Sequence, residues 1–150
     1  MNSLEALLRR VENGLPRVNR LTDIYNAISI KHQIPLGGED IDKYQGAPFL
    51  IRAKGDEKFI TKASGEEVTD HPKPGEVVWC ENAGVTCRLW NWRQCSRTAL
   101  SDITTSVLFI IDALEPMDDQ KLKNAADELI SELSKLSSNV KVFQRVCHAP

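Results

Sequence analysis

Apolar residues fall at helical spacing in three places along the chain and in short runs between them. Leu4, Leu7, Leu8 and Val11 follow Ser3, a residue able to cap, and Asn13-Gly14 with Pro16 closes the segment, so the pattern predicts a short first helix. Leu21, Ile24 and Ile28, with Tyr25 beside them, predict a second helix over 21–32, capped by Asn19 or Thr22 and carrying Asn26 near one edge of its apolar stripe. Pro116, Asp118 and Asp119 open a third, whose stripe is Leu122, Ala126, Leu129, Leu133 and Leu136. Between the helices, 49–53 and 58–61 read as a hairpin across Lys54-Gly55-Asp56-Glu57, with 76–80, 85–92 and 106–112 as further strands. The continuous run Val107-Leu108-Phe109-Ile110-Ile111 predicts burial on both faces. Val140, Val142 and Val146 suggest a last strand, and 64–74 reads as an exposed connection. Ile34-Pro35-Leu36-Gly37-Gly38-Glu39-Asp40 reads as a loop whose backbone comes close to a ligand. Strands flanked by three helices, without regular βαβ alternation, indicate an α+β fold with a mixed or antiparallel sheet.

Length changes this picture little: 150 residues make about one domain, able to bury roughly two-thirds of its unfolded surface without staples. With 41% hydrophobic and 27% charged residues and a formal net charge of -2, a uniformly basic duplex-coating body is excluded, and any RNA contact must come from a local patch. No apolar stretch approaches a membrane span and Met1-Asn2-Ser3-Leu4-Glu5 is not a signal peptide, so the expected location is cytoplasmic. Between Cys80, Cys87, Cys95 and Cys147 the spacings match no usual zinc or redox pattern, so reduced structural thiols are expected, with no metal and no cofactor.

The candidate patch lies between Ala83 and Ser101, where no acidic residue interrupts and where Trp90, Asn91, Trp92, Arg93 and Arg97 cluster. Flat rings beside guanidinium groups suit unpaired bases and phosphates. Pleat alternation alone would send one tryptophan into a core, and surface exposure is the ordinary fate of both arginines. His32 and His148 read as surface residues, and Cys87 or Cys95 with His71 makes no dyad without geometry. Asp112 ends an apolar strand, where a carboxylate needs a partner or a cavity.

Taken in order, Val18-Asn19-Arg20-Leu21-Thr22-Asp23-Ile24-Tyr25-Asn26, Pro35, Asp40, Ala83-Gly84-Val85 and the strand from Val107 to Asp112 resemble the B3/B4 domain. This is the editing domain of the phenylalanyl-tRNA synthetase beta subunit. The loop 35–40 and Arg88-Leu89-Trp90-Asn91-Trp92-Arg93 resemble its freestanding branch, and the resemblance runs from residue 4 to about 136. It implies a layered β/β/α fold, with a mixed central sheet, a smaller antiparallel sheet and flanking helices, in a single domain over 1–150. Freestanding relatives carry more sequence ahead of the segment matching Met1, so a missing N-terminal piece is expected.

The resemblance also implies a pocket that hydrolyses the ester of a wrongly attached amino acid on tRNA. By position it places Asn26, with Tyr25 where the synthetase has Thr, Pro35, Gly84 and Val85 in that pocket, and Asp112 where the synthetase has a pocket Glu. Gly37 stands where the synthetase has a His, so either Glu39 or Asp40 takes over the chemistry or the reaction is lost. The candidate site is then Glu39, Asp40 and Asp112 as catalytic carboxylates and Tyr25, Asn26, Pro35, Gly37, Gly38, Gly84 and Val85 around the substrate. Trp90, Asn91, Trp92, Arg93 and Arg97 would hold the RNA. Gly37-Gly38 and Gly84 amides are candidate oxyanion donors, and no covalent nucleophile is evident. The expected partner is the aminoacylated acceptor end of tRNA, with neither DNA nor a membrane, and the expected activity is trans-acting aminoacyl-tRNA deacylation. A non-catalytic tRNA-binding module and a pocket for a free amino acid are the alternatives, the latter indifferent to salt and RNA. Oligomeric state is left open.

Overall fold

The computed structural model describes residues 1–148. Its first helix, α1, spans Ser3–Leu8 and is capped by Asn2 rather than by Ser3, in a reciprocal pair with Glu5. Val11–Asn13 forms a separate 3-10 turn, so the helix stops a turn earlier than its apolar spacing predicts. The second helix, α2, covers Arg20–His32; the Asn19 side chain accepts from the Thr22 amide at 2.8 Å, and Gln33 ends it in the left-handed conformation. Ser29 fixes the exit, its hydroxyl donating to the Ile34 carbonyl at 2.6 Å while the Ile34 amide donates back to Ser29 O.

That exit leads directly into a strand, β1 (Leu36–Asp40), where the sequence suggests a glycine loop. β1 is buried along its whole length and pairs antiparallel with β8 (Val107–Ile111), Gly38 opposite Phe109. Close packing overrides the poor strand propensity of glycine. A Cβ at Gly38 would lie 2.9 Å from the Phe109 ring and 3.0 Å from Tyr25, and one at Gly37 would lie 2.5 Å from Gln94 Nε2. Only glycine lets two layers approach the strand this closely. β8 itself is half-buried throughout rather than buried on both faces.

The middle of the chain pairs differently from the expected hairpin. β2 (Phe49–Arg52) pairs with β5 (Val77–Glu81), and β3 (Phe59–Ala63) pairs with β4 (Glu66–Asp70) within the stretch expected to be a connection. Ser64 and Gly65 both have positive φ, which gives a two-residue turn matching the strand twist. β6 (Gly84–Arg88) and β7 (Arg93–Gln94) complete a four-stranded sheet in the order β2-β5-β6-β7. β6 stops at Arg88 because Leu89 and Trp90 both turn left-handed, so the expected strand to Trp92 becomes a tight reversal.

The α+β class and its flanking helices stand as expected. Every strand pairing among the described residues is antiparallel, with no parallel member such as a mixed central sheet requires. The third helix, α3, spans Asp119–Ser134, with the Asp118 side chain accepting from the Lys121 amide; Ala125 rather than Ala126 is buried beside Leu129. Residues 140–146 are exposed and unpaired to any strand, so the expected last strand does not form. No helix among the described residues is long and apolar enough to cross a membrane.

Two cores result. Tyr25, Ile28, Leu36 and Leu129 join the helices to the β1–β8 sheet, while Ala53, Phe59, Val78, Val85 and Cys95 fill the space under the larger sheet. β1 lies between them. Its Leu36 and Gly38 face the helices, and its Gly37 and Glu39 face Gln94 and Thr98.

Candidate functional site

A groove of about 370 Å³ opens along the line where the two cores meet. α1 supplies one wall through Ser3, Ala6 and Leu7, continued by Arg10 just beyond its end; α2 contributes Tyr25 and Asn26, and β1 contributes Leu36 and Gly37. Cys87 of β6 and the run Asn91 to Gln94 form the other side. Of the residues singled out from sequence, Tyr25, Asn26, Gly37, Asn91, Trp92 and Arg93 therefore come together here. Ser3, Arg10, Cys87 and Gln94 were not foreseen. For Ser3 and Arg10 the available signal was their i, i+3, i+7 relation to Ala6 on the predicted first helix.

The three candidate carboxylates do not line this groove. Glu39 leaves β1 on the Gly37 face but runs beyond the groove: its two oxygens accept from Thr98 Oγ1 at 2.7 Å and Tyr44 OH at 2.6 Å. Cys95 Sγ lies 3.1 Å from Thr98 Oγ1 and, since Thr98 already donates to Glu39, Cys95 is the donor there. Burial pushes the Glu39 carboxyl above its ordinary range, against the opposing hydrogen bonds of Thr98 and Tyr44 and the charge of Arg97. Asp40 caps the 3-10 turn Ile41–Lys43, accepting from the Asp42 amide at 3.1 Å and from Thr104 Oγ1 at 2.8 Å.

Asp112 accepts from Asn91 Nδ2. Burial raises its pKa to about 6, with the Asn91 and Trp90 side chains opposing the shift. Asn91 is held from both sides, because its Oδ1 accepts from Ser3 Oγ at 2.6 Å and its backbone carbonyl from the Ser3 amide at 2.6 Å. The chain Ser3–Asn91–Asp112 thus fastens α1 across the groove. Replacing Ser3 with alanine removes a part-buried bond and should cost about 1 kcal/mol locally. Amide exchange in α1 should then be about fivefold faster, with exchange in α3 unchanged.

The remaining candidates lie elsewhere. Gly38, within β1, faces Phe109 and Tyr25 on the side away from Gln94, and Pro35 O accepts the Asp112 amide at 3.1 Å. Gly84 and Val85 sit at the start of β6, where Lys58 O accepts from the Val85 amide at 2.8 Å and Val85 enters the core under the larger sheet. Trp90 borders a different hollow with Met1, Glu5 and Glu76, and Arg97 pairs with Glu81 and donates to Lys43 O. The four cysteines are free thiols, and burial pushes the groove thiol of Cys87 up to about 12, so at neutral pH it is protonated and no nucleophile.

Fold and groove together define an α+β domain with a cleft lined by neutral polar and small apolar groups, one tryptophan and two arginines, with no carboxylate among them. The model of the B3/4 domain matches residues 1–138, and the chain belongs to that family. The family carries a tRNA-binding-related role. No curated protein matches the chain.

Proposed function

We propose that the groove receives the aminoacylated 3′ end of tRNA. The observation that carries this reading is the meeting of Trp92 and Arg93 with Tyr25 and Asn26 in one cleft of nucleoside-sized volume. An indole offers a stacking face for the terminal base, a guanidinium offers a fork for its phosphate, and the α2 side chains are left to meet the acyl group. A minihelix ending in single-stranded CCA should bind the protein, lose affinity in proportion to salt, and bind about tenfold more weakly to Trp92→Ala, since stacking on one aromatic ring contributes about 1 to 3 kcal/mol. Equal binding of a blunt minihelix lacking CCA would sink the reading.

Deacylation in trans is the second reading, and the neutral polar cluster of Tyr25, Asn26 and Gln94 favours it. Hydrolysis of an ester requires a water held against the carbonyl and donors for the oxyanion. These side chains line the groove and the carboxylates do not. Release of labelled amino acid from mischarged tRNAs should therefore survive Asp112→Asn and disappear in Asn26→Ala. The opposite pattern would return the chemistry to the carboxylate, and a protein that binds charged tRNA without releasing anything is a binding module.

A further inference from the structure

Charge on the groove is lopsided. Arg10 enters it from the turn after α1 and Arg93 from β7, both exposed; Arg93 donates only to Thr61 Oγ1, at 3.3 Å, and Arg10 has no side-chain partner among the described residues. Three arginines elsewhere are matched to carboxylates, Arg17 with Asp23, Arg88 with Asp70 and Glu76, and Arg97 with Glu81. No Asp or Glu lines the groove. The carboxylates behind its floor, Glu39 and Asp112, are buried and already accept hydrogen bonds from Thr98, Tyr44 and Asn91.

We infer that the groove prefers acyl ends that carry no free ammonium, such as an N-acylated aminoacyl group, with Arg10 and Arg93 holding the terminal phosphodiester. The inference rests on the proposed binding of a tRNA end. A phosphodiester carries one negative charge and neutralises one of the two guanidinium groups. An α-ammonium, charged below a pKa of about 8, then enters a cleft with surplus positive charge and no carboxylate to receive it. Acylating that nitrogen removes the charge and leaves an amide that the Asn26 and Gln94 carboxamides, which line the groove, are equipped to hydrogen-bond. Repulsion across several ångströms of partly wet groove amounts to about a fivefold to tenfold difference in affinity.

The test uses a CCA-ended minihelix bearing phenylalanine through a non-hydrolysable 3′ amide, with its amine either free or acetylated, titrated into the whole protein at pH 7. In low salt the acetylated form should bind about fivefold to tenfold tighter. That gap should close in about 0.5 M salt, where charges are screened within a few ångströms, and in the Arg10→Gln/Arg93→Gln double variant. Equal or tighter binding of the free-amine form overturns the inference, as does a gap indifferent to salt and to the loss of both arginines, which would mark mere contact with the acetyl group. Failure of both forms and of the unacylated minihelix to bind would instead overturn the tRNA-end reading itself.

Discussion

Replacing Gly84 with alanine should destabilise the protein by about 3 to 4 kcal/mol, although the residue lies outside the groove. Gly84 has a φ of 135°, a backbone conformation that side-chain-bearing residues rarely adopt, and a Cβ there would drive into the Lys58 carbonyl oxygen. That carbonyl cannot retreat cheaply, because it accepts the Val85 amide and so joins β6 to the chain entering β3. Backbone strain of about 1 to 3 kcal/mol adds to the cost of overpacking. A denaturant midpoint within experimental error of the parent protein would show that the close approach is not required. The resemblance to the synthetase pocket places this glycine at the substrate; here its evident role is to let two chain segments touch.

Asp112→Asn should do the reverse, and only above mildly acidic pH. The folded protein holds the Asp112 carboxyl at about 6 against an ordinary value of 3.8, so between those values the native state binds more protons than the unfolded chain. Stability from this group is therefore complete below about pH 4, declines as pH rises through that window, and is fully lost above the folded pKa. Two pKa units correspond to about 3 kcal/mol. Asparagine keeps an oxygen to accept from Asn91 Nδ2 and carries no charge, so the variant should be more stable by about 2 to 3 kcal/mol at pH 7.5 and nearly equal to the parent at pH 4. Urea melts at the two pH values test this. A variant less stable at pH 7.5, or a difference independent of pH, would mean that the ionised carboxylate is not the strained species.

Apolar periodicity made α2 and α3 legible because these helices bury one recurring face, and the continuous apolar run from Val107 marked a strand. Of the aromatic and basic run, Trp92 and Arg93 line the groove, whereas Trp90 and Arg97 lie outside it. What remained hidden was set by neighbours distant in sequence. Gly37-Gly38 carries a turn-like composition, yet Phe109, Tyr25 and Gln94 press on it closely enough to make it a strand. Pleat alternation correctly puts Gly37 and Glu39 on one face but says nothing of Thr98 and Tyr44, which hold the glutamate away from the groove. Alternation also fails after Arg88, because two successive left-handed residues reset the direction of every side chain that follows. Arg10 was missed because spacing alone places it on the face of Ser3 and Ala6 without saying which element that face covers.

The meeting of two separate cores at the groove has a mechanical consequence. No strand ladder crosses between the β1–β8 sheet and the four-stranded sheet. Sliding one core against the other would work against individual bonds such as Thr98 Oγ1 to Glu39 and Ser3 Oγ to Asn91, not against a cooperative ladder. The two packed halves are thus bridged by separate bonds, the Asp40 amide to the Thr98 carbonyl at 2.9 Å among them, so a bulkier guest would have fewer interactions to displace there than within either half.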